Sequence, residues 1–121
     1  MRHTLQDNPT VFGKILRKEI PADIVYENDH VLAFHTIEPQ APVHVLIIPK
    51  QHIAGLQDAT DADAATLGHL LAAANQVAKI MDVQQSGYRL ITNAGKDAGQ
   101  EVFHLHFHLL AGKPLGAKIV G

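Results

Sequence analysis

Residues 102–110 read VFHLHFHLL, so that histidines and apolar residues alternate through His104, His106 and His108. Alternation with a period of two is typical of a β-strand, in which successive side chains point to opposite faces of the sheet. The three histidines should therefore line one face, while the apolar residues between them anchor the strand in the core. Such a strand holds reactive groups in fixed positions. The stretch predicts a core strand that presents three imidazoles to a site.

Two helices are predicted elsewhere in the chain. The stronger spans residues 60–81, where apolar residues recur at intervals of three and four and acidic residues occupy the first turn. Thr60 or Asp61 can cap this helix. A short helix is predicted within residues 8–21, with Asn8 as N-cap and the following proline at the first helical position.

The remaining strands precede and follow the long helix. Residues 23–37, DIVYENDHVLAFHTI, predict two strands around a turn at Asn28-Asp29, and residues 43–49, VHVLIIP, predict a buried strand. Residues 88–93, YRLITN, should pair with residues 102–110 as an antiparallel hairpin. About five strands with one long and one short helix predict an α+β domain, with helices on one side of an antiparallel sheet. The 121 residues are expected to form one domain, residues 1–121.

The composition narrows the possible functions. A net charge of −2 without a cluster of Lys or Arg disfavours binding to long nucleic acid. Apolar runs are too short to span a bilayer, the N-terminus lacks the apolar segment of a signal peptide, and a cytoplasmic protein is expected. The chain contains no cysteine, so thiolate chemistry is excluded. Nine histidines are the compositional anomaly.

Two chemistries use a row of histidines. A His-x-His pair can bind zinc together with a third ligand. However, His104 and His108 would lie about 13–14 Å apart on a strand, so one metal could take at most two of the three. Alternatively, one neutral imidazole attacks phosphorus while neighbouring groups stabilise the developing charge. Gly95 and Gly99 flank the preceding loop, whose backbone N–H groups could face an anion.

The segment HLHFHLL, residues 104–110, matches the histidine triad signature, in which each of three histidines is followed by an apolar residue. The segments at 11–29, 31–53, 87–104 and 112–116 are also similar to successive segments of the histidine triad (HIT) family. The similarity is to its nucleotide-binding, purine phosphoramidase branch, and it covers nearly the whole chain.

The resemblance implies a role for each matched residue. His106 would be the nucleophile, His104 and His108 would orient it and contact the phosphate and leaving group, and His44 would complete the network. The nucleotide-binding residues implied in this way are Val11, Phe12, Ile15, Phe34, Thr36, Ile37, Asn93, Gln100, Glu101 and Val102. Of the other histidines, His35 and His52 are expected to be structural and His3, His30 and His69 to be solvated.

The reaction implied by the resemblance is hydrolysis of a purine nucleoside 5′-phosphoramidate to the nucleoside monophosphate and a free amine. It would pass through a covalent nucleotidyl-histidine intermediate and need no cofactor or metal. The family is typically homodimeric. Two alternatives are a nucleotide-binding or scaffolding dimer with incidental turnover and a dinucleoside polyphosphate hydrolase. The last five residues, AKIVG, could reach a neighbouring subunit's site or be disordered.

The sequence departs from the family pattern at two places. Thr36 stands where the family commonly has an aspartate that holds the ribose hydroxyls, which predicts weaker nucleoside binding and weaker ribose selectivity. Thr10 and Gly13 stand where some relatives carry a Cys-x-x-Cys zinc site, so that site cannot form here.

Overall fold

The computed structural model describes residues 2–117 and 119, so that only Ala117 and Ile119 of the final AKIVG segment fall within it. Within these residues the strands and helices are, in chain order, α1 (Val11–Leu16), β1 (Ile24–Glu27), β2 (Val31–His35), β3 (Val43–Pro49), α2 (Ala64–Ile80), β4 (Arg89–Ile91) and β5 (Phe107–Ala111). The strands form a sheet of order β1-β2-β3-β5-β4 with every pairing antiparallel. The predicted α+β fold of about five strands with one long and one short helix is confirmed.

The turn and cap residues explain why the elements begin where they do. The Asn28 side-chain oxygen accepts hydrogen bonds from the backbone N–H groups of His30 and Val31, which closes the predicted turn between β1 and β2. Thr60 caps a 3₁₀ turn that leads directly into α2, and its backbone N–H donates to the side chain of Asp63 at 2.9 Å. Thr60 is thus the cap at the start of the predicted long helix.

The sheet has a different helix on each face. Residues 31, 33, 45, 47 and 109 face α2 and form the main core with its buried residues Leu70, Ala74 and Val77. Residues 32, 34, 46 and 48 face the other way and pack with Phe12 of α1. The prediction that both helices lie on one side is therefore wrong. It failed because α1 has only six residues, too few for its periodicity to indicate which sheet face it covers.

In the histidine stretch, side chains alternate between the two sheet faces as predicted, but only part of the stretch is a β-strand. Leu105 and Leu109 pack in the main core, whereas the rings of His104 and His106 contact Phe12 on the opposite face. β5 nevertheless begins only at Phe107. Continuing the β3–β5 register beyond the pair Ile47–Phe107 would place Pro49 opposite Leu105. Because proline has no N–H to donate, the ladder ends there. Leu105 N–H instead donates to Ile53 O at 2.7 Å.

Across residues 2–117 and 119, none of the helices combines the length and apolar character needed to cross a bilayer.

Candidate active site

Hydrogen bonds fix the tautomer of the central histidine. His106 Nδ1 lies 2.8 Å from the backbone oxygen of His104, and a carbonyl oxygen can only accept, so Nδ1 carries a hydrogen and donates it. In the neutral imidazole the lone pair is then at Nε2. The Thr92 hydroxyl donates to the backbone oxygen of His106 at 2.8 Å, which ties this residue to the end of β4. His106 is thus a fixed imidazole whose Nε2 is left with an available lone pair.

A second chain of hydrogen bonds assigns the protons of His44 and His108. The backbone N–H of Gln40 donates to His44 Nδ1 at 3.0 Å, so a neutral His44 carries its hydrogen at Nε2. That Nε2–H donates to His108 Nδ1 at 2.9 Å. His108 Nδ1 is then an acceptor, and a neutral His108 carries its hydrogen at Nε2. The rings of His106 and His108 are neighbours, with their centroids 5.1 Å apart.

The imidazoles of His44, His106 and His108 have lowered pKa values, which favours their neutral form at pH 7. Burial lowers the pKa of His44 and of His106, although a hydrogen bond to the His104 backbone partly opposes the effect at His106. Burial, with further contributions from the charges of neighbouring His106 and His44, lowers the pKa of His108 to about 4. At neutral pH His106 is therefore unprotonated, which is the form in which an imidazole can act as a nucleophile.

His104 lies behind the site rather than in it. Its side chain is fully buried, and its Nε2–H donates to Pro49 O at 2.8 Å while Asn8 Nδ2 lies 2.9 Å from its Nδ1. Both ring nitrogens are bound by protein groups, and burial lowers the pKa of His104 to about 4. The expected contact between His104 and the phosphate does not fit this position. Its expected orienting effect on His106 does, through the backbone oxygen described above.

A cavity of about 820 Å³ opens in front of His106 and His108, within the size range of small-molecule sites, roughly 300–1,000 Å³. The rings of Phe12 and Phe34 lie edge to face at 5.7 Å on its apolar side. Phe12 also contacts the ring of His106, at a centroid distance of 5.0 Å. The same aromatic side chain thus supports both the apolar slot and the central imidazole.

All ten predicted nucleotide-binding residues line this cavity: Val11, Phe12, Ile15, Phe34, Thr36, Ile37, Asn93, Gln100, Glu101 and Val102. Phe12 and Phe34 form its buried part, whereas Val11 is 42% and Ile37 95% exposed, so these two lie at the rim. His44 and His104 are not among the lining residues. The structure brings the predicted set together in one place, arranged from a buried aromatic end to an exposed rim.

The side chain of Gln100 already forms hydrogen bonds in and beside the loop that precedes the three histidines. Its Nε2 donates to Ala54 O at 2.7 Å and to Val102 O at 3.1 Å, while its Oε1 accepts from Gly95 N–H at 2.9 Å. Asn93 likewise donates to Ala98 O at 2.9 Å. Both side-chain amides thus have backbone partners, and Gln100 connects the loop to residues 54 and 102 beside the cavity.

The charged residues of the cavity wall are unusual for a site that would bind an anion. Among the described residues that line it there is no Lys or Arg, while the side chains of Asp23 and Glu101 contribute carboxylates. Positive charge in this part of the wall can therefore come from imidazoles, which can take up a proton. Two backbone N–H groups of the loop already have protein acceptors: Gly95 N–H donates to Gln100 Oε1, and Gly99 N–H donates to Lys96 O. In the same described residues, no three His, Cys, Asp or Glu side chains are arranged to hold one metal ion.

Sequence reasoning missed several lining residues. The additional ones are Ile20, Pro21, Ala22, Asp23, His35 and Leu46, while Gly99, which the sequence indicated only as part of an anion-facing loop, also lines the cavity. Leu46 could have been found, because it is the register partner of His108 and of Phe34 and therefore shares their face of the sheet. His52 was expected to be structural, and it donates from Nε2 to Phe103 O at 2.9 Å. His30, expected to be solvated, is exposed but stacks on His69 at 3.8 Å.

Comparison with known proteins agrees with this fold and arrangement. The HIT domain family matches residues 17–115. The chain is 48% identical to the purine nucleoside phosphoramidase of Escherichia coli K12 over 107 residues, which cover 88% of this chain and 90% of that protein. It superimposes on a HIT family hydrolase from Clostridium thermocellum with a TM-score of 0.90 and 50% identity, covering 93% of this chain and 97% of that one.

A histidine triad nucleotide-binding protein from Candida albicans is more distant, with a TM-score of 0.75, 32% identity and coverage of 90% of this chain and 85% of that one. The predicted resemblance is thereby confirmed by sequence and by structure. The chain belongs to the HIT domain family.

Proposed function

We propose that this protein hydrolyses purine nucleoside 5′-phosphoramidates to the nucleoside monophosphate and an amine, with His106 as a covalent nucleophile. One observation carries the proposal: His106, with its lone pair at Nε2, and His108, with its hydrogen at Nε2, line the same cavity with their ring centroids 5.1 Å apart. The E. coli relative, which is named a purine nucleoside phosphoramidase, supports the choice of substrate class.

In the first step, Nε2 of His106 attacks phosphorus and the bond between phosphorus and the leaving nitrogen breaks. Negative phosphate oxygens in the cavity favour the protonated form of His108, because an opposite charge raises the pKa of an imidazole. The imidazolium then gives its Nε2 proton to the leaving nitrogen, which departs as a neutral amine, and His108 returns to its neutral form. Protonated His108 carries hydrogens on both ring nitrogens, so its Nδ1–H is opposed to the Nε2–H of His44; the hydrogen bond between them is displaced until the remaining hydrogen of His108 is again at Nε2.

In the second step, water attacks phosphorus and the bond to His106 Nε2 breaks. Neutral His108 accepts a proton from the attacking water and becomes an imidazolium again. It keeps this proton for the next turnover or loses it to solvent. His106 again has its lone pair at Nε2, since its Nδ1–H remains bound to His104 O throughout. Both steps use the same pair of imidazoles, and the products are the nucleoside monophosphate and the free amine.

The apolar end of the cavity suits a nucleobase. Phe12, Phe34 and Leu46 are buried there, and flat aromatic ligands pack well against such side chains. Thr36, which lines the cavity, offers one hydroxyl in place of the family's carboxylate to the ribose. We therefore expect the nucleoside to bind through its base more than through its sugar.

We also propose that the protein is a homodimer, as is typical of the family. Within the described residues β4 pairs with β5 alone, so one edge of the sheet is open to another strand. Leu71 and Ile80 of α2 are 54% and 55% exposed, which is unusual for large apolar side chains on a helix that packs on the sheet. Light scattering after gel filtration should give twice the mass of the chain; the mass of one chain would contradict the dimer.

The test of function is steady-state hydrolysis of an adenosine 5′-phosphoramidate that carries a fluorescent amine, with a chelator present. A diadenosine polyphosphate is assayed in parallel. We expect turnover of the phosphoramidate with a kcat/KM at least about tenfold above that for the polyphosphate. Guanosine and cytidine analogues with the same amine would establish whether a purine is preferred.

Two results would contradict the proposal in different ways. Preference for the polyphosphate would identify a dinucleoside polyphosphate hydrolase. No turnover of either compound, with adenosine monophosphate still bound, would identify a nucleotide-binding protein.

A further inference from the structure

Asn8 is a buried polar residue whose position the sequence did not predict. The predicted N-cap of α1 was Asn8, but the cap is Thr10, whose hydroxyl accepts from Gly13 N–H at 3.1 Å. Asn8 is only 1% exposed. Its Oδ1 accepts hydrogen bonds from the backbone N–H of Thr10 at 3.1 Å and from the Thr10 hydroxyl at 2.8 Å. Two donors face one atom, which identifies that atom as the amide oxygen and the other as the NH₂ group.

The NH₂ group of Asn8 faces His104. Its Nδ2 lies 2.9 Å from His104 Nδ1, and an amide NH₂ can only donate, so Nδ1 must be the acceptor. The hydrogen of His104 is then at Nε2, where it is donated to Pro49 O. A hydrogen on His104 Nδ1 would instead point directly at the NH₂ group of Asn8. The amide thus selects one tautomer of His104 and disfavours its protonated form.

His104 connects Asn8 to the central histidine, because its backbone oxygen accepts the Nδ1 hydrogen of His106. On the basis of the proposed function, we propose that Asn8 is a positioning residue for His106. Its carboxamide holds His104 as the Nε2–H tautomer in one place, and through the His104 carbonyl it keeps the lone pair of His106 at Nε2, where it attacks phosphorus.

The packing around Asn8 leaves it little freedom. A Cβ at Gly13 would lie 2.5 Å from Asn8 Cγ and 2.6 Å from Asn8 O, so that α1 can approach closely only because residue 13 is glycine. Arg17 Nη1 donates to Asn8 O at 2.7 Å. The start of α1 and the side chain of Arg17 therefore clamp the backbone of Asn8 while its amide points at His104.

Asn28 provides a matched control for the simpler view that Asn8 only shapes a turn. Like Asn8, Asn28 accepts backbone hydrogen bonds at its Oδ1, here from residues 30 and 31. Its Nδ2, however, donates to the Tyr26 hydroxyl and not to a histidine. A change from amide to carboxylate therefore preserves the turn at both positions but reverses the hydrogen bond to a histidine only at Asn8.

The experiment compares Asn8→Asp and Asn28→Asp with wild type by ¹⁵N NMR of the histidine rings and by phosphoramidate kinetics. A carboxylate at position 8 can only accept, so we expect His104 to become an imidazolium at pH 7 with hydrogens on both nitrogens. This charge close to His106 should lower kcat by roughly tenfold or more while KM changes less than about threefold. Asn28→Asp should leave the His104 signals and kcat unchanged.

The ¹⁵N NMR spectrum of the wild type alone would test the tautomers assigned to His104 and His106. At pH 7 we expect His104 to be neutral with its hydrogen at Nε2 and His106 to carry its hydrogen at Nδ1; any other state of either ring would overturn the proposal, even if Asn8→Asp fails to fold. A kcat within twofold of wild type, despite a changed His104, would overturn the positioning role. Loss of the proposed function would appear differently, as absent turnover in wild type with the predicted tautomers in place.

Discussion

Burial of His104 as a neutral imidazole should make the protein sensitive to mild acid. Its pKa is about 4 in the folded protein and about 6.5 when unfolded, so between these values the unfolded chain binds the extra proton. Stability is therefore highest above pH 6.5, falls as the pH decreases, and levels off below pH 4. The proton-binding equilibria give a loss of about 2 kcal/mol from this residue between pH 7 and pH 5.

The assay is urea unfolding at pH 7 and at pH 5 for wild type and for His104→Gln, which retains a side-chain acceptor and donor but cannot titrate. The variant should lose about 2 kcal/mol less than wild type over this interval, whatever its absolute stability. His30→Gln removes an exposed histidine and should behave like wild type within about 0.5 kcal/mol. An unchanged pH dependence in His104→Gln would refute the reasoning, because it would mean that His104 is not held neutral by the fold.

Two further substitutions test other parts of the site. Gly13→Ala should destabilise the protein by about 1–3 kcal/mol, since the added methyl would overlap Asn8; unfolding that matches wild type would show that α1 can move away. Thr36→Asp restores a two-oxygen acceptor for the ribose and should lower KM by about tenfold and increase discrimination against deoxyribonucleotides. If both parameters stay at the wild-type values, Thr36 does not face the sugar.

Most strands and turns of the sheet could be predicted from the sequence because each is indicated by a local pattern of residues. The apolar run in 43–49, the Asn28 turn and the capped run from Thr60 each specify their element without reference to the rest of the chain. The cavity residues could be named only through the resemblance to the HIT family, because side chains from α1, β2 and the loop before β5 meet there by tertiary folding.

The predictions that failed concern features that are determined by contacts between residues far apart in the sequence. Asn8 followed by proline has the pattern of an N-cap, but burial against His104, 96 positions later, gives its amide a different partner. The histidine stretch alternates like a strand throughout, yet the length of β5 depends on its partner strand, which ends at Pro49. Neither effect is visible within a short window of sequence.

The most direct test of the account is whether a nucleotide becomes attached to His106. Wild type and His106→Ala are mixed with an adenosine 5′-phosphoramidate labelled at phosphorus, quenched in alkali within the first turnover, and digested for mass spectrometry. We expect labelled adenylate on the peptide that contains His106 in wild type, and neither label nor turnover in the variant. Turnover by His106→Ala, or a first turnover of wild type without label on this peptide, would contradict nucleophilic catalysis by His106.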